Sequence, residues 1–265
     1  MKSTVARARA VALLALALMA GCVNQPTEHR VKANAYFRGG QYAEALKECD
    51  LGLSGKPDDV GTLILRAKSL FELDRPAEAK TDYQRAVALG EGKDKTYMGD
   101  AYLGLAILAS REKDWKEART EFEKLLATDP ADVGTRTNLA RVCLELGDLP
   151  KAEEHAEAAV SMRSQDEAAL FTLGRVLLAE GKLDQASAAF SRISVANPRA
   201  ASAPYGQAMV LAKKGDRDGA LAKLGEAIAL KVPNPSEIAE DPSFASIKDD
   251  PEFLRLVAKA AQGAK

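Results

Sequence analysis

Aromatic side chains make up only 5% of the 265 residues, too few for the interior of a sheet sandwich, which relies on rings and β-branched side chains. Histidine is almost missing. His29 and His155 are the only two, with no cysteine or carboxylate recurring around both at ligand spacing, so no metal site is expected. The sequence has no G-x-S-x-G elbow, no H-E-x-x-H helix and no G-x-x-x-x-G-K-[ST] loop; its nearest approach to the last, Gly52-Leu53-Ser54-Gly55-Lys56, is wrongly spaced. Paired carboxylates such as Glu153-Glu154 and Asp249-Asp250 read as solvated faces or caps. No catalytic residue, cofactor or small-molecule substrate is therefore expected, and the chain reads as a non-enzyme. Charge of one sign is lacking too. A formal net charge of -1 cannot supply the cationic surface that neutralises phosphates, which sets nucleic acid aside as a partner.

What is present is alanine, in an apolar fraction of 46%. That is enough for a buried core of closely packed helices. An all-α fold is the expectation.

Residues 1–10 carry Lys2, Arg7 and Arg9 without an acid, and Val11 to Ala20 is an unbroken apolar run. This is the layout of an export signal. It is too short for a mature membrane span, which needs about 20 residues. The run closes with Leu18-Met19-Ala20-Gly21-Cys22, which resembles the bacterial lipobox. The resemblance implies cleavage before Cys22, acylation of that residue (palmitate among its chains) and a lipid anchor, with residues 1–21 removed and 22–29 forming a short tether. Without the three signal cations the mature charge is about -4. Val23 in place of an aspartate implies a periplasm-facing position on the outer membrane. A soluble secreted protein cut nearby is the alternative.

Ala45, Ala79, Ala118, Ala152, Ala186 and Ala220 are separated by 34, 39, 34, 34 and 34 residues. Turn-formers precede each alanine by four or five places, from Gly40-Gln41 to Gly215-Asp216. Four residues after each stand Cys49, Tyr83, Phe122, Ala156, Phe190 and Leu224, and three further on Gly52, Ala86, Leu125, Ala159, Ile193 and Ala227. That is one face of a helix. Pro57, Pro130 and Pro198 end repeats. The 34-residue period resembles the tetratricopeptide repeat (TPR) family. It implies a right-handed solenoid of six helix-turn-helix repeats over residues 30–234, with residues 235–265 as C-terminal capping helices. In the cap, Phe253, Leu254, Leu256, Val257 and Ala260 are expected to form the covering face. The five extra residues within 90–98 read either as a lengthened helix end or connector or as a partner-contacting loop. Cys49 and Cys143 lie three repeats apart, too far for a disulfide, and read as small core hydrophobes.

In the resembling family the first helix of each repeat lines a concave groove. Carried over residue by residue, the groove here would hold Arg30, Asn34, Phe37, Arg38, Lys68, Phe71, Glu72, Arg111, Arg141, Glu145, Phe171, Arg175, Tyr205, Met209 and Lys213. Cations outnumber acids in that set, so a segment with an acidic or carboxylate element is the expected occupant. The alternative is that its aromatics pack between repeats and its arginines pair with neighbouring glutamates. Six repeats behind a lipobox resemble the type IV pilus pilotins. That implies a membrane-anchored scaffold for another envelope protein, a secretin being one candidate. Adaptors for a periplasmic protease or cell-wall enzyme, and self-associating structural lipoproteins, share the same features.

Overall fold

The computed structural model describes residues 27–90, 95–232 and 235–263, and none of these is in a strand. The signal, Cys22 and most of the tether lie outside the described residues. So do residues 91–94 of the insertion. The chain divides into two compact units, the first ending at Thr128 and the second beginning at Asp129. The first contains α1 (27–38), α2 (Tyr42–Gly55), α3 (Val60–Glu72), α4 (Pro76–Gly90), α5 (Lys95–Arg111) and α6 (Trp115–Thr128). The second contains α7 (Val133–Glu145), α8 (Leu149–Met162), α9 (Glu167–Ala179), α10 (Leu183–Ala196), α11 (Ser202–Lys214) and α12 (Arg217–Ala229), then two 3-10 turns and α13 (Pro251–Gly263). The six expected hairpins are there, three in each unit.

Each hairpin turns on one left-handed residue five places before the repeat alanine. Gly40, Gly147, Gly181 and Gly215 hold φ between 72° and 80°, whereas Asp74 and Lys113 hold 56° and 58°. A Cβ in that conformation crowds the following carbonyl, and glycine escapes the strain. Asp74→Gly and Lys113→Gly are each expected to stabilise the first unit by about 0.5–1 kcal/mol, read as a rise in denaturation midpoint. An unchanged or lower midpoint in both would contradict it.

The first helices of three repeats start on an aspartate. Asp59, Asp132 and Asp166 accept hydrogen bonds from the backbone N–H of Thr62, Thr135 and Ala169 at 3.0, 2.7 and 3.0 Å, satisfying donors that an α-helix leaves open. The Thr135 hydroxyl also donates to Asp132 and, with the Thr135 N–H, holds its carboxyl below the usual carboxylate range. A carboxyl depressed in the folded state contributes stability above its unfolded pKa, about 3.9, and that stability is lost as pH falls through the folded value. Asp132→Ala should cost about 1 kcal/mol at neutral pH, and the cost should shrink at lower pH through that window. Urea unfolding at several pH values measures this, and a pH-independent difference would speak against it.

The alanines are where the helices cross. All six are completely buried, as are Cys49, Ala156, Phe190 and Leu224 four residues on, with Tyr83 and Phe122 at 3% and 1%. Leu125 is only partly buried. Cys49 and Cys143 are inside, as expected, and burial pushes the Cys49 thiol up to about 12. Rings interlock with glycines on the neighbouring first helix. A Cβ at Gly104 on α5 would lie 2.3 Å from the Tyr83 ring, and one at Gly206 on α11 would lie 2.3 Å from the Phe190 ring. Phe190 also abuts Gly174 on α9, so one ring keys three helices.

The insertion is partly a lengthened helix. α5 has 17 residues, against 13 in α3, α7, α9 and α11. The cap differs from the expected two helices: its first part is the 3-10 turns Pro235–Glu240 and Pro242–Phe244. Phe253, Leu256 and Ala260 are buried at 1%, 7% and 6%, but Leu254 is 53% exposed. Residues 253, 256 and 260 share a helical stripe that residue 254 leaves by one step of about 100°.

Candidate protein-binding site

In the first unit the first helices of the repeats, α1, α3 and α5, frame two adjoining hollows. The apolar one, about 290 Å³, is lined by Phe37, Phe71, Leu103 and Ile107, and Tyr83 reaches it beside Gly104. Leu103 and Ile107 remain 36% exposed. The polar one, about 360 Å³, is lined by Arg30, Asn34 and Tyr97. Lys68 and Asp100 border both and form an ion pair at 2.7 Å. Arg111 is exposed, with its guanidinium 4.1 Å from the centre of the Phe71 ring, a cation–π geometry that leaves the N–H edge available. Phe37 is half-buried against Tyr42, at 5.4 Å between ring centres, and Arg38 is exposed.

In the second unit a hollow of about 320 Å³ is bordered by Glu145, Arg175, Met209 and Lys213, and on its far side by Asp241-Pro242-Ser243 of the cap. A second, about 360 Å³, is lined by Phe171, Tyr205 and Glu237 among others. Arg141 is exposed and donates to the Asn138 side chain at 3.0 Å. Phe171 stacks on Tyr205 at 6.3 Å, Tyr205 meets Phe244 at 5.8 Å and Phe244 meets Phe253 at 5.4 Å. The Tyr205 hydroxyl donates to Asp241 at 2.9 Å. Burial first, then the Asp241 carboxylate, raises the pKa of that phenol.

Two expectations about the groove need correction. Met209 is not an open groove residue: it is only 2% exposed and packs in the core of the second unit. Tyr205 is half-buried, bound by the cap. The cation excess is also smaller than the first helices alone suggest. Arg30 pairs with Asp59 at 3.1 Å and Arg175 with Glu145 at 3.5 Å, while Lys68 is held by Asp100. The acids omitted from the groove set, Asp100, Glu237 and Asp241, come from the start of α5 and from the cap.

Known proteins agree with this architecture. One tetratricopeptide repeat family model matches residues 109–158 and another matches 64–133 and 171–236, the second alone covering just over half of the chain. RNA polymerase II-associated protein 3 of Xenopus tropicalis is 28% identical over 194 residues, 67% of this chain and 29% of that protein. The chain thus spans less than a third of the length of the curated relatives it matches. Among solved structures, YrrB, described as a TPR protein with an unusual peptide-binding site, is 25% identical with a TM-score of 0.55, over 70% of this chain and 93% of that one. PilW, described as a widely conserved type IV pilus biogenesis factor, has a TM-score of 0.64 over 84% of this chain and 97% of that one; at 17% identity this is a likeness of fold. TPR proteins are generally non-catalytic scaffolds for protein–protein interaction. From its repeat period, its hairpins and these matches, the chain belongs to the tetratricopeptide repeat family.

Proposed function

We propose that this protein is a lipid-anchored adaptor, fixed to the outer membrane through acylated Cys22 and holding a segment of another envelope protein on the faces made by its first helices. The observation that carries the binding role is the apolar hollow of the first unit, where Leu103 and Ile107 stay 36% exposed in a recess among three helices. A concave, mostly apolar recess with a few polar groups at its edge is the usual form of a binding site. The membrane role rests on Leu18-Met19-Ala20-Gly21-Cys22 behind a cationic start and an apolar run. Several acyl chains give a stable anchor, because each buried CH₂ contributes about 0.8 kcal/mol. Confinement to a thin layer raises the effective concentration of whatever is held, so an adaptor can speed assembly without catalysis.

A pilotin-like role, delivering a secretin subunit of a type IV pilus, is the form we favour; the fold likeness to PilW, a pilus biogenesis factor, supports it. The test is cross-linking in intact cells, with mass spectrometry of the captured proteins and fractionation of wild type and Cys22→Ser. Wild type should float with outer membranes and capture an envelope protein, and Cys22→Ser should leave the membrane. A wild-type chain that stays soluble, or that captures nothing from the envelope, would overturn the reading.

A further inference from the structure

The two units treat equivalent helix positions differently, and the contrast indicates what the open one accepts. Leu103 and Ile107 stand 15 and 11 residues before Ala118, and Tyr205 and Met209 stand 15 and 11 residues before Ala220. Arg111 and Lys213 are equivalent in the same way, seven residues before those alanines. Both sites sit over a ring that abuts a glycine: Tyr83 at Gly104, Phe190 at Gly206. In the second unit the Tyr205 and Met209 positions are covered by the chain's own cap, and Lys213 stays exposed beside it. Phe244, 1% exposed, packs on Tyr205, while Asp241 accepts the Tyr205 hydrogen bond and borders the hollow that contains Lys213. In the first unit nothing of the kind is present among the described residues. Leu103 and Ile107 are open, and the exposed Arg111 guanidinium lies over the Phe71 ring.

We infer that the apolar hollow of the first unit binds a short linear segment of a partner protein carrying a phenylalanine-like anchor close to a carboxylate, the chemistry that residues 241–244 supply to the second unit. This rests on the adaptor reading and specifies its ligand. The anchor ring enters between Phe37, Phe71, Leu103 and Ile107, where it exchanges water for apolar surface. The carboxylate meets the N–H edge of Arg111, which its stacking on Phe71 orients for a two-bonded contact. Asp100, which also borders the hollow, disfavours a second acid at the end away from Arg111, so a single carboxylate placed on the Arg111 side is the preferred pattern.

The probe is a fluorescein-labelled, C-terminally amidated peptide copying residues 241–244, titrated with the purified full chain and followed by anisotropy. Saturable binding is expected. It should weaken at least tenfold when the peptide phenylalanine becomes alanine, and at least tenfold in the Leu103→Asp chain. Arg111→Glu should weaken the parent peptide at least fivefold but leave a peptide with asparagine for its aspartate nearly unaffected. Leu103→Asn serves as a milder variant, and circular dichroism melting of both checks that they fold. No saturable binding, or binding indifferent to both Leu103 substitutions, would overturn the assignment; the second result would place the peptide elsewhere, by exchange with the cap. Repeating the in-cell cross-linking with Leu103→Asp separates the two levels. Envelope capture retained by this variant would remove the hollow's role and keep the adaptor, whereas no capture even by wild type would remove the adaptor itself.

Discussion

Phe190→Ala should remove about 3–5 kcal/mol from the second unit, measured as a loss of denaturant midpoint followed by circular dichroism. The ring is completely buried and fills the space between α9, α10 and α11. Its loss leaves a cavity that two glycine-bearing helices cannot close by moving side chains they do not possess. The reciprocal change is informative. A Cβ at Gly206 would meet Cδ1 and Cγ of that ring at 2.3 and 2.4 Å, and Cγ lies too near the backbone to swing away, so Gly206→Ala should cost about 1–3 kcal/mol by overpacking. Combining Gly206→Ala with Phe190→Leu should recover part of the loss, because the smaller side chain gives the new methyl room. Strict additivity of the two changes would show that the ring and the glycine are not in contact.

Arg66→Ala should cost the first unit about 2–3 kcal/mol, somewhat below the ~3–5 kcal/mol of breaking a fully buried pair, because the arginine side chain is itself 27% exposed. Arg66 grips Asp82 with two bonds of 2.7 Å, from Nε and Nη2, and reaches Asp50 at 3.1 Å. The Asp82 side chain is only 4% exposed, so without Arg66 a carboxylate is left in the interior with no cation. Asp82 is therefore the source of the penalty. Removing both partners with Arg66→Met and Asp82→Leu should restore much of the stability, since the desolvated charge is gone. A double variant as unstable as Arg66→Ala would show that the bonds themselves, and not the stranded charge, carried the effect.

The repeat alanines and the residues four places on were legible in the sequence because they answer to spacing alone, and all twelve are buried. The ring-and-glycine contacts leave a fainter signal, a fixed offset between two elements of neighbouring repeats. Gly206 lies 16 residues after Phe190, and Gly104 lies 21 after Tyr83, which is the same offset plus the five-residue insertion. The aspartate caps were equally open to reading, in Pro57-Asp58-Asp59 and Pro130-Ala131-Asp132. The state of Met209 and Tyr205 could not be read from repeat position. It depends on where a non-repeating segment folds back, and no periodicity specifies that path. For the same reason the acids Asp241 and Glu237 were absent from the expected groove, and its charge came out too positive.

Lengthening α5 at its start has a geometric consequence. The four added residues extend the helix by about 6 Å, slightly more than one turn, and they stand upstream of the part that aligns with the other repeats. Leu103, Ile107 and Arg111 therefore keep their angular phase, while Tyr97 and Met98 form an additional storey. Met98 rests against Gly90 at the end of α4, and Tyr97 becomes a wall of the polar hollow. The insertion thus deepens one compartment of the first unit without rotating the other.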